Sequence, residues 1–142
     1  MSVAKITANR PSNEIISCDK TTKVRDAVAM LADKRIGALP VLDNGQVAGI
    51  FSERDVIYCL AEAGEGALDK PVGDVMTSPP VTVEPRTQVD EALGMMTRRR
   101  FRHFPVVEDG ALVAFISIGD LVKVKMDEIE KEANALRTYI AT

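Results

Sequence analysis

The sequence holds little of the chemistry that metal centres and disulfide scaffolds need. Among its 142 residues are two cysteines, one histidine and no tryptophan. A single histidine, without closely spaced cysteine pairs, excludes a Cys/His zinc site. Cys18 and Cys59 have no disulfide-framework spacing, which indicates packed free thiols in a reducing compartment. We therefore expect no metal and a cytoplasmic protein.

Long apolar runs and excess positive charge are also missing. No stretch approaches the roughly 18 consecutive apolar residues of a membrane span, and the formal net charge is −3. The first residues contain no apolar signal segment. The basic stretch "TRRRFRH", residues 97–103, has one aromatic residue, which favours a solvated or ligand-facing cluster over a nucleic-acid patch. We expect neither a membrane nor nucleic acid as a partner.

Recognisable catalytic motifs are absent as well. No nucleophile motif such as G-x-S-x-G occurs, and His103 has no second histidine to work with. The acids after residue 126 are interspersed with lysine, as on a solvated helix face. The sequence predicts a protein that is not an enzyme.

The chain does contain an internal repeat. At an offset of 65, residues 17–57 align with residues 82–122 without a gap, and ten pairs are identical. Two copies are too few for a solenoid, so we predict a pseudo-twofold pair that shares one core. The identical pairs are Thr22/Thr87, Val24/Val89, Ala27/Ala92, Met30/Met95, Arg35/Arg100, Pro40/Pro105, Val41/Val106, Gly45/Gly110, Ser52/Ser117 and Asp55/Asp120.

Each copy has the pattern β-α-β-β-α, which predicts a mixed α/β (α+β) fold. A short strand, "EIISC" or "PVTVE", precedes a helix with Thr22 or Thr87 as its N-cap. Apolar runs around "DNG" and "EDG" then predict two β-hairpins. A second helix begins near Arg54 and near Gly119. The apolar stripes of the first helices are Val24, Ala27, Val28 and Leu31, and Val89, Ala92, Leu93 and Met96.

The domain organisation follows from this pattern. We predict a first repeat over 1–65, a Gly- and Pro-rich linker over 66–79, a second repeat over 80–126 and an amphipathic C-terminal helix over 127–142. That helix carries a heptad-like apolar seam, which either packs on its own domain or pairs with a second copy. The seam comprises Val122, Met126, Ile129, Ala133, Leu136 and Ile140.

A Ser-x-x-Asp segment closes the hairpin of each repeat, as "SERD" and "SIGD". One interpretation is a helix cap, because Ser is a good N-cap and an acid three residues later resembles a capping box. The other is a ligand site, because a helix N-terminus attracts anions and a carboxylate can accept bonds from two ribose hydroxyls. Glu or Gln reaches back better than Asp, so Asp in both copies favours a ligand. In that case alanine at either acid should change the stability of the free protein by less than ~1 kcal/mol.

The segments "RIGALPVLDNGQVAGIFSERDVI" and "RFRHFPVVEDGALVAFISIGDLV" resemble the cystathionine-β-synthase (CBS) domain. The resemblance covers about residues 10–125, as a tandem CBS pair or Bateman module, and the C-terminal part is similar to short stand-alone CBS-pair proteins. It implies two clefts for adenine nucleotides between the repeats, and a homodimer. Ala114 stands where the signature has Gly.

The resemblance implies a set of ligand-binding residues for each cleft. In one cleft Ser52 and Asp55 hold ribose and phosphate, while Ser117 and Asp120 do so in the other. Backbone groups at 36–38 and 101–103 read the adenine edge. The remaining residues are Thr77, Val81 and Phe101 for the first cleft, and Ser12, Ile16, Ile36 and Ala38 for the second.

The two clefts differ in charge. Arg102 and His103 stand opposite Gly37 and Ala38 in the repeat, and Arg54 corresponds to Gly119. In AMP-sensing modules that this one resembles, such positions carry phosphate-binding cations. We therefore expect the cleft of Ser52 and Asp55 to take the more phosphorylated ligand.

The functional hypothesis is a nucleotide-sensing regulatory module. Its ligand would be AMP, ADP, ATP or NAD(H), with no metal, and its target a protein acting in trans. The alternative is a structural dimerisation module whose Ser-x-x-Asp segments are only caps.

Overall fold

The computed structural model describes residues 1–8 and 15–141. Two similar α/β units follow one another, as predicted, and a long helix ends the described chain. The elements of the first half are α1 (Ala4–Thr7), β1 (Cys18–Asp19), α2 (Val24–Lys34), β2 (Ala38–Asp43), β3 (Gln46–Ser52) and α3 (Glu53–Ala63). Two 3₁₀ turns (Gly64–Asp69 and Val72–Asp74) lead to α4 (Val89–Arg99), β4 (His103–Glu108), β5 (Ala111–Ser117) and α5 (Ile118–Ala141).

Each repeat is built on a β-hairpin. In the first, β1 runs parallel to β2, and β2 pairs antiparallel with β3. In the second, β4 pairs with β5, and the position of β1 is taken by one parallel bridge between Val83 and Val106. The predicted strands "EIISC" and "PVTVE" are therefore mostly not strands within the described residues. A few backbone contacts at the edge of each hairpin hold these two segments in place instead.

The two hairpins close through tight turns, as their Gly residues predict. Asn44 and Gly45 have φ values of 51° and 80°, and Asp109 and Gly110 have 51° and 81°. Two consecutive positive φ angles define a type I′ turn, whose twist matches that of the flanking strands. The turn residues thus bring each pair of strands into register.

The apolar stripes of α2 and α4 face the core as predicted. The predicted caps are wrong: the N-caps are Lys23 and Gln88, in extended conformation and without a side-chain bond. Thr22 and Thr87 lie one residue earlier, where their backbone carbonyls accept bonds from other segments. Residues buried in these helices are Val24, Ala27 and Leu31, and Val89, Ala92 and Met96.

The described residues form two hydrophobic clusters, so the single shared core that we predicted is wrong. The first cluster is centred on Phe51 and the second on Phe104, both fully buried and both on hairpin strands. Each cluster is enclosed by the strands of one hairpin and by two long helices, α2 and α3 in the first repeat and α4 and α5 in the second. The two repeats meet outside these cores, and this leaves clefts between them.

Both cysteines are buried free thiols, as predicted. Cys18 and Cys59 belong to the first cluster. Burial raises the pKa of the Cys18 thiol to about 11, and the neighbouring Asp19 carboxylate adds to the rise. Cys18 is therefore a protonated, unreactive core residue at neutral pH.

The segment predicted to be a linker is part of the first repeat's structure. Ala67 and Val72, in the two 3₁₀ turns, are fully buried in the first cluster. Further along, Thr77 pairs with Ile50 on β3 through two backbone bonds of 3.0 and 2.9 Å. The segment therefore closes one side of the first repeat.

The N-terminal residues occupy the place on the second repeat that residues 64–77 occupy on the first. Val72 N–H donates to the carbonyl of Thr22 at 2.7 Å, and Val3 N–H donates to that of Thr87 at 2.8 Å. Val3 is fully buried in the second cluster, although the sequence analysis assigned it to the first repeat. The two units are therefore intertwined. Equivalent bonds of 2.9 Å join Val24 N–H to Lys70 O and Val89 N–H to Met1 O.

The apolar seam of α5 does not pack on its own chain. Leu121, in the first turn of α5, is fully buried, but the side chains of Met126 and Leu136 are 64% and 60% exposed. Of the two alternatives for the seam, packing on the parent domain is excluded for most of the length of α5. Across residues 1–8 and 15–141, none of the helices combines the length and apolar character that crossing a bilayer requires.

Gly49 on β3 provides a test of how the 64–77 segment packs. A Cβ at Gly49 would lie 2.6 Å from Met76 Sδ and 2.7 Å from the backbone oxygen of Thr77. Because the backbone oxygen cannot move without breaking its pairing with Ile50, Gly49→Ala should lower the free energy of unfolding by about 1–3 kcal/mol. Urea denaturation measures this.

Gly66→Ala is the matched control, since nothing lies within 4 Å of a Cβ at that position. Equal stability of the Gly49→Ala protein and the wild type would contradict the close approach of residues 76 and 77 to β3.

Candidate functional site

The Ser-x-x-Asp segments form reciprocal caps. Ser52 N–H donates to Asp55 Oδ2 at 2.9 Å, and Asp55 N–H donates to Ser52 Oγ at 3.4 Å. The second repeat has the same pair, from Ser117 N–H to Asp120 Oδ2 at 2.8 Å and from Asp120 N–H to Ser117 Oγ at 3.2 Å. Our argument that Asp reaches back poorly is therefore wrong, because both carboxylates close a capping box.

The first amides of these helices are occupied too. Glu53 N–H donates to the carbonyl of Gly37 at 3.0 Å, and Ile118 N–H donates to that of Arg102 at 2.8 Å. These bonds tie the start of each helix to the segment before β2 or β4. The first and third amides of each helix therefore already have partners, so an anion at either helix start would meet fewer unoccupied amides than at an uncapped helix.

The two carboxylates differ in their surroundings. Asp55 is 8% exposed; its Oδ2 also accepts from Ser52 Oγ at 3.1 Å, and its Oδ1 from Thr77 Oγ1 at 2.9 Å. Asp120 is only partly buried and lines a cleft. The Asp55 carboxylate, which we predicted to contact the sugar, is therefore shielded by hydrogen bonds from its own chain.

A first cleft, of about 590 Å³, lies between the repeats and is called the arginine cleft. It brings together most residues that we predicted for it, from both repeats, but Asp55 lies behind its wall. Predicted residues that line it are Ser52, Arg54, Thr77, Val81, Phe101, Arg102 and His103, together with Gly37 and with Ala38, which was predicted for the other cleft.

Four arginines and one glutamate give this cleft its charge. Arg99 and Arg100 at the end of α4 join Arg54 and Arg102, opposed by Glu53. The turn after α4 positions these arginines, because Arg100 ends the helix in the left-handed conformation with φ of 58°. Arg54 Nη1 donates to the Arg100 carbonyl at 3.4 Å and links the two repeats across the cleft.

A second cleft, of about 380 Å³, is called the Asp120 cleft. Ser117, Asp120, Ile16, Ile36 and Ala38 line it as predicted. Ser12, also predicted here, lies outside the described residues. Gly119 is on the outer face of α5 and does not line this cleft.

His103 lies between the two clefts and lines both. Its ring stacks on Phe115, with centroids 5.4 Å apart and planes 8° from parallel. Burial lowers the pKa of the imidazole, partly offset by the carboxylates of Asp120 and Glu53, and Arg102 lowers the pKa further. At neutral pH the His103 ring is therefore uncharged, and it forms a flat part of the wall of both clefts.

Sequence reasoning missed several lining residues. Glu53 and Arg99 had signals in the sequence, because they adjoin Ser52 and the "RFRH" segment, to which Arg100 itself belongs. Ile57 and Tyr58, about one helical turn past Arg54 on α3, could be found from helical spacing. The others, on strands or loops, face the clefts only through the packing of the two repeats. In the Asp120 cleft, the missed residues are Ile15, Val113, Ala114 and Phe115.

Metal binding has no support in the part of the chain that the structure describes. No group of three or more His, Cys, Asp or Glu side chains there is placed to hold an ion.

Comparisons with known proteins agree with this architecture. The family model described as CBS domain matches twice, at residues 3–62 and 72–127. The CBS domain-containing protein CBSX3, mitochondrial, of Arabidopsis thaliana is 36% identical over an alignment of 128 residues that covers 87% of this chain and 62% of that protein. The chain thus spans less than two thirds of that relative's length.

Two solved structures have the same fold. A CBS-domain containing protein from Agrobacterium tumefaciens superposes with a TM-score of 0.82 at 33% identity, covering 88% of this chain and 99% of that one. CBSX2, solved in complex with AMP, gives a TM-score of 0.76 at 27% identity, covering 89% and 96%. CBSX2 is a chloroplastic protein of Arabidopsis thaliana.

The caps predict a stability effect larger than the sequence alone suggested. Asp55→Ala removes the acceptor of Ser52 N–H and of Thr77 Oγ1 in a buried place. The free energy of unfolding should fall by about 1–3 kcal/mol. Asp55→Asn, which keeps one acceptor oxygen, should cost less. Denaturant titration of ligand-free protein measures both, and an unchanged midpoint for Asp55→Ala would contradict the cap.

The titration of His103 should make the stability of the protein depend on pH, and the NMR signal of this one histidine can follow that titration. Because the folded pKa lies below the ordinary value of 6.5, the unfolded chain binds this proton more readily. Stability should therefore fall as the pH drops below 6.5 towards the folded pKa, and it should be insensitive to this group above 6.5. The proton NMR titration of the imidazole should have its midpoint below 6.5.

His103→Phe keeps a ring against Phe115 and removes the titrating group, so it is the control for the melting temperature. A midpoint at or above 6.5 in the folded protein would show that the imidazole is not desolvated.

Proposed function

The chain belongs to the CBS domain family as a tandem pair, and from this we propose that it is a regulatory module for adenine nucleotides. Each of its two clefts would bind an adenosine-containing ligand. The observation that carries the proposal is the arginine cleft, where cationic side chains face an apolar wall formed by both repeats. A flat base fits the apolar side and a phosphate the arginine side.

The ligand class has support from a relative. CBSX2, at 27% identity, was solved in complex with AMP. For this chain AMP, ADP, ATP and NAD(H) are the candidates, and no metal is required. The charge of the arginine cleft favours the most phosphorylated of them, because guanidinium groups bind phosphate in a bidentate manner. Asp120 makes the other cleft better suited to the sugar or base of a less charged ligand.

The regulatory role is a proposal about a target outside the chain. Within the part that the structure describes, we assign no catalytic group, and we propose that the protein does not turn over its ligand. Occupancy would act on a protein partner in trans by changing how the two repeats pack. A ligand can shift such packing only if it binds one arrangement more tightly than the other. The cytoplasmic location stays a prediction; CBSX3 is a mitochondrial protein.

A homodimer is the second part of the proposal. Ile57 and Tyr58 on α3 are 64% and 63% exposed, and Val122 and Lys123 stand at the corresponding positions of α5. The apolar seam of α5 is exposed over several turns. Exposed apolar stripes at heptad-like spacing favour pairing with a second copy. We propose that the dimer forms through these helices.

Nucleotide binding should be visible in a titration and in thermal unfolding. AMP, ADP, ATP and NAD(H) are each titrated calorimetrically, and at least one should bind at two equivalents per chain. Saturation at 100 times Kd should add about 2.7 kcal/mol of stability. Arg102→Ala should weaken ATP binding more than adenosine binding, because it removes a phosphate contact and leaves the base wall.

The structural alternative gives the opposite result. If no nucleotide up to millimolar concentration changes either the heat signal or the melting temperature, the clefts hold no adenine nucleotide. The protein would then be a dimerisation module.

The dimer has its own test. Ile129→Glu places a charge in the exposed seam of α5 and should convert the dimer to monomer in sedimentation equilibrium. Lys131→Glu, on the same helix but outside the seam, is the control and should leave the dimer intact. A wild-type monomer at tens of micromolar would contradict this part of the proposal.

A further inference from the structure

We infer that the C-terminal helices α5 of two copies pair in parallel and in register, with Glu132 of each copy against Arg137 of the other. The inference rests on the homodimer of the proposed function and gives that dimer an orientation. It follows from the order of the charged residues on both sides of the exposed apolar seam.

The C-terminal half of α5 presents its seam to solvent. The side chains of Met126, Leu136 and Ile140 are all more than half exposed. In the range 130–141 every residue is exposed except Ala133, which is half-buried. An apolar stripe that is exposed over this length favours packing against a second helix.

The first turns of α5 attach the helix to its own repeat by other residues. Leu121 is fully buried, and Val124 packs against the second cluster. Lys125 Nζ lies 2.9 Å from Asp90 Oδ1 on α4. None of these side chains belongs to the seam. The helix is therefore fixed in direction while its seam stays open to a second copy.

Charged residues border the seam in a definite order. In a coiled coil the apolar a and d residues form the seam, and the e and g residues beside it decide the orientation of the partner. The a residues are Met126, Ala133 and Ile140, and the d residues are Val122, Ile129 and Leu136. The e residues are Lys123, Glu130 and Arg137, and the g residues are Lys125, Glu132 and Tyr139.

A parallel pair brings opposite charges together. Each g residue then faces the next e residue of the second helix. Lys125 meets Glu130 and Glu132 meets Arg137, and each contact occurs twice by symmetry. Because Lys125 is already paired with Asp90 of its own chain, the exposed pair of Glu132 and Arg137 carries most of the preference.

An antiparallel pair brings like charges together. In that orientation e residues face e residues and g residues face g residues. With the seam overlapped over its full length, Lys123 faces Arg137, while Glu130 and Glu132 each face their own counterpart. Every contact between two charged side chains is then repulsive. The apolar seam fits either orientation, and the charges select the parallel one.

The parallel orientation also fixes where the ligand clefts lie in the dimer. Helix α5 spans 24 residues and starts beside the Asp120 cleft, which Ser117 and Asp120 line. Parallel pairing places the Asp120 clefts of both copies at the same end of the paired helices. An antiparallel pair would separate the two helix starts by about 36 Å, the length of the helix.

Arg137→Glu tests the orientation by charge. In the parallel pair it turns two attractive contacts with Glu132 into repulsive ones, so the dissociation constant of the dimer should rise about tenfold. In an antiparallel pair the new carboxylate would face Lys123 and tighten the dimer. Sedimentation equilibrium measures the constant. Lys131→Glu makes the same change of charge outside the seam and should leave it unaltered.

A double variant provides the matched rescue. Glu132→Lys combined with Arg137→Glu restores opposite charges in the parallel pair, and its dissociation constant should return to within about twofold of the wild type. In an antiparallel pair the same double variant would place lysine against lysine at position 132, in the way that the wild type would place glutamate against glutamate.

Leu136→Cys tests the register directly. The parallel pair puts residue 136 against its own counterpart, so the variant should form a crosslinked dimer under oxidising conditions, while Cys18 and Cys59 are buried. In the antiparallel pair residue 136 faces residue 126 and lies about 15 Å from its counterpart, beyond the reach of a disulfide. Met126→Cys combined with Leu136→Cys crosslinks in either orientation and is the control for pairing.

The outcomes separate the orientation from the dimer itself. If Arg137→Glu tightens the dimer, or if the double cysteine variant crosslinks and Leu136→Cys alone does not, the inference is overturned and the homodimer stands. A wild-type dimer that neither cysteine variant crosslinks overturns it as well, because the copies then meet elsewhere. If the wild-type protein is a monomer at tens of micromolar, the proposed homodimer fails and the inference with it.

Discussion

The strand-to-helix junction is the constraint on which both clefts depend. At each junction a serine and an aspartate exchange bonds between side chain and main chain, and the next amide is tied to a carbonyl in the segment before the hairpin. These bonds fix the direction in which α3 and α5 leave their strands. Because Ser52 and Ser117 at the helix starts line the clefts, this capping geometry positions one part of each cleft wall.

On this common frame the two repeats carry different side chains. The backbone of β4 and β5 follows that of β2 and β3 through the same register, including an irregularity at the same place. Arg102 and His103 nevertheless replace Gly37 and Ala38, and Arg54 is replaced by Gly119. The same hairpin frame therefore presents two clefts whose lining residues differ in charge. His103 belongs to both walls, so neither cleft can be altered at this residue without the other.

Sequence reasoning succeeded where the repeat itself carried the information. Turn residues predicted both hairpins and apolar spacing predicted the buried helix faces, because each depends on local pattern, whereas most cleft residues were predicted from the resemblance to the CBS domain. Sequence reasoning failed where distant segments meet. The bond from Thr77 to Asp55 spans 22 residues, and the docking of residues 1–8 on the second repeat spans more than 80. Neither leaves a periodic trace. The shifted caps at Lys23 and Gln88 adjoin such contacts, since Val24 N–H donates to Lys70 O and Val89 N–H donates to Met1 O.

The core of each repeat is completed by a segment outside that repeat, residues 64–77 for the first repeat and residues 1–8 for the second. Val72 completes the interior of the first repeat although it follows that repeat in the chain, and Val3 completes the interior of the second although it begins the chain. Severing the peptide backbone near residue 65 would therefore yield two fragments that remain bound, since one still carries the missing piece of the other.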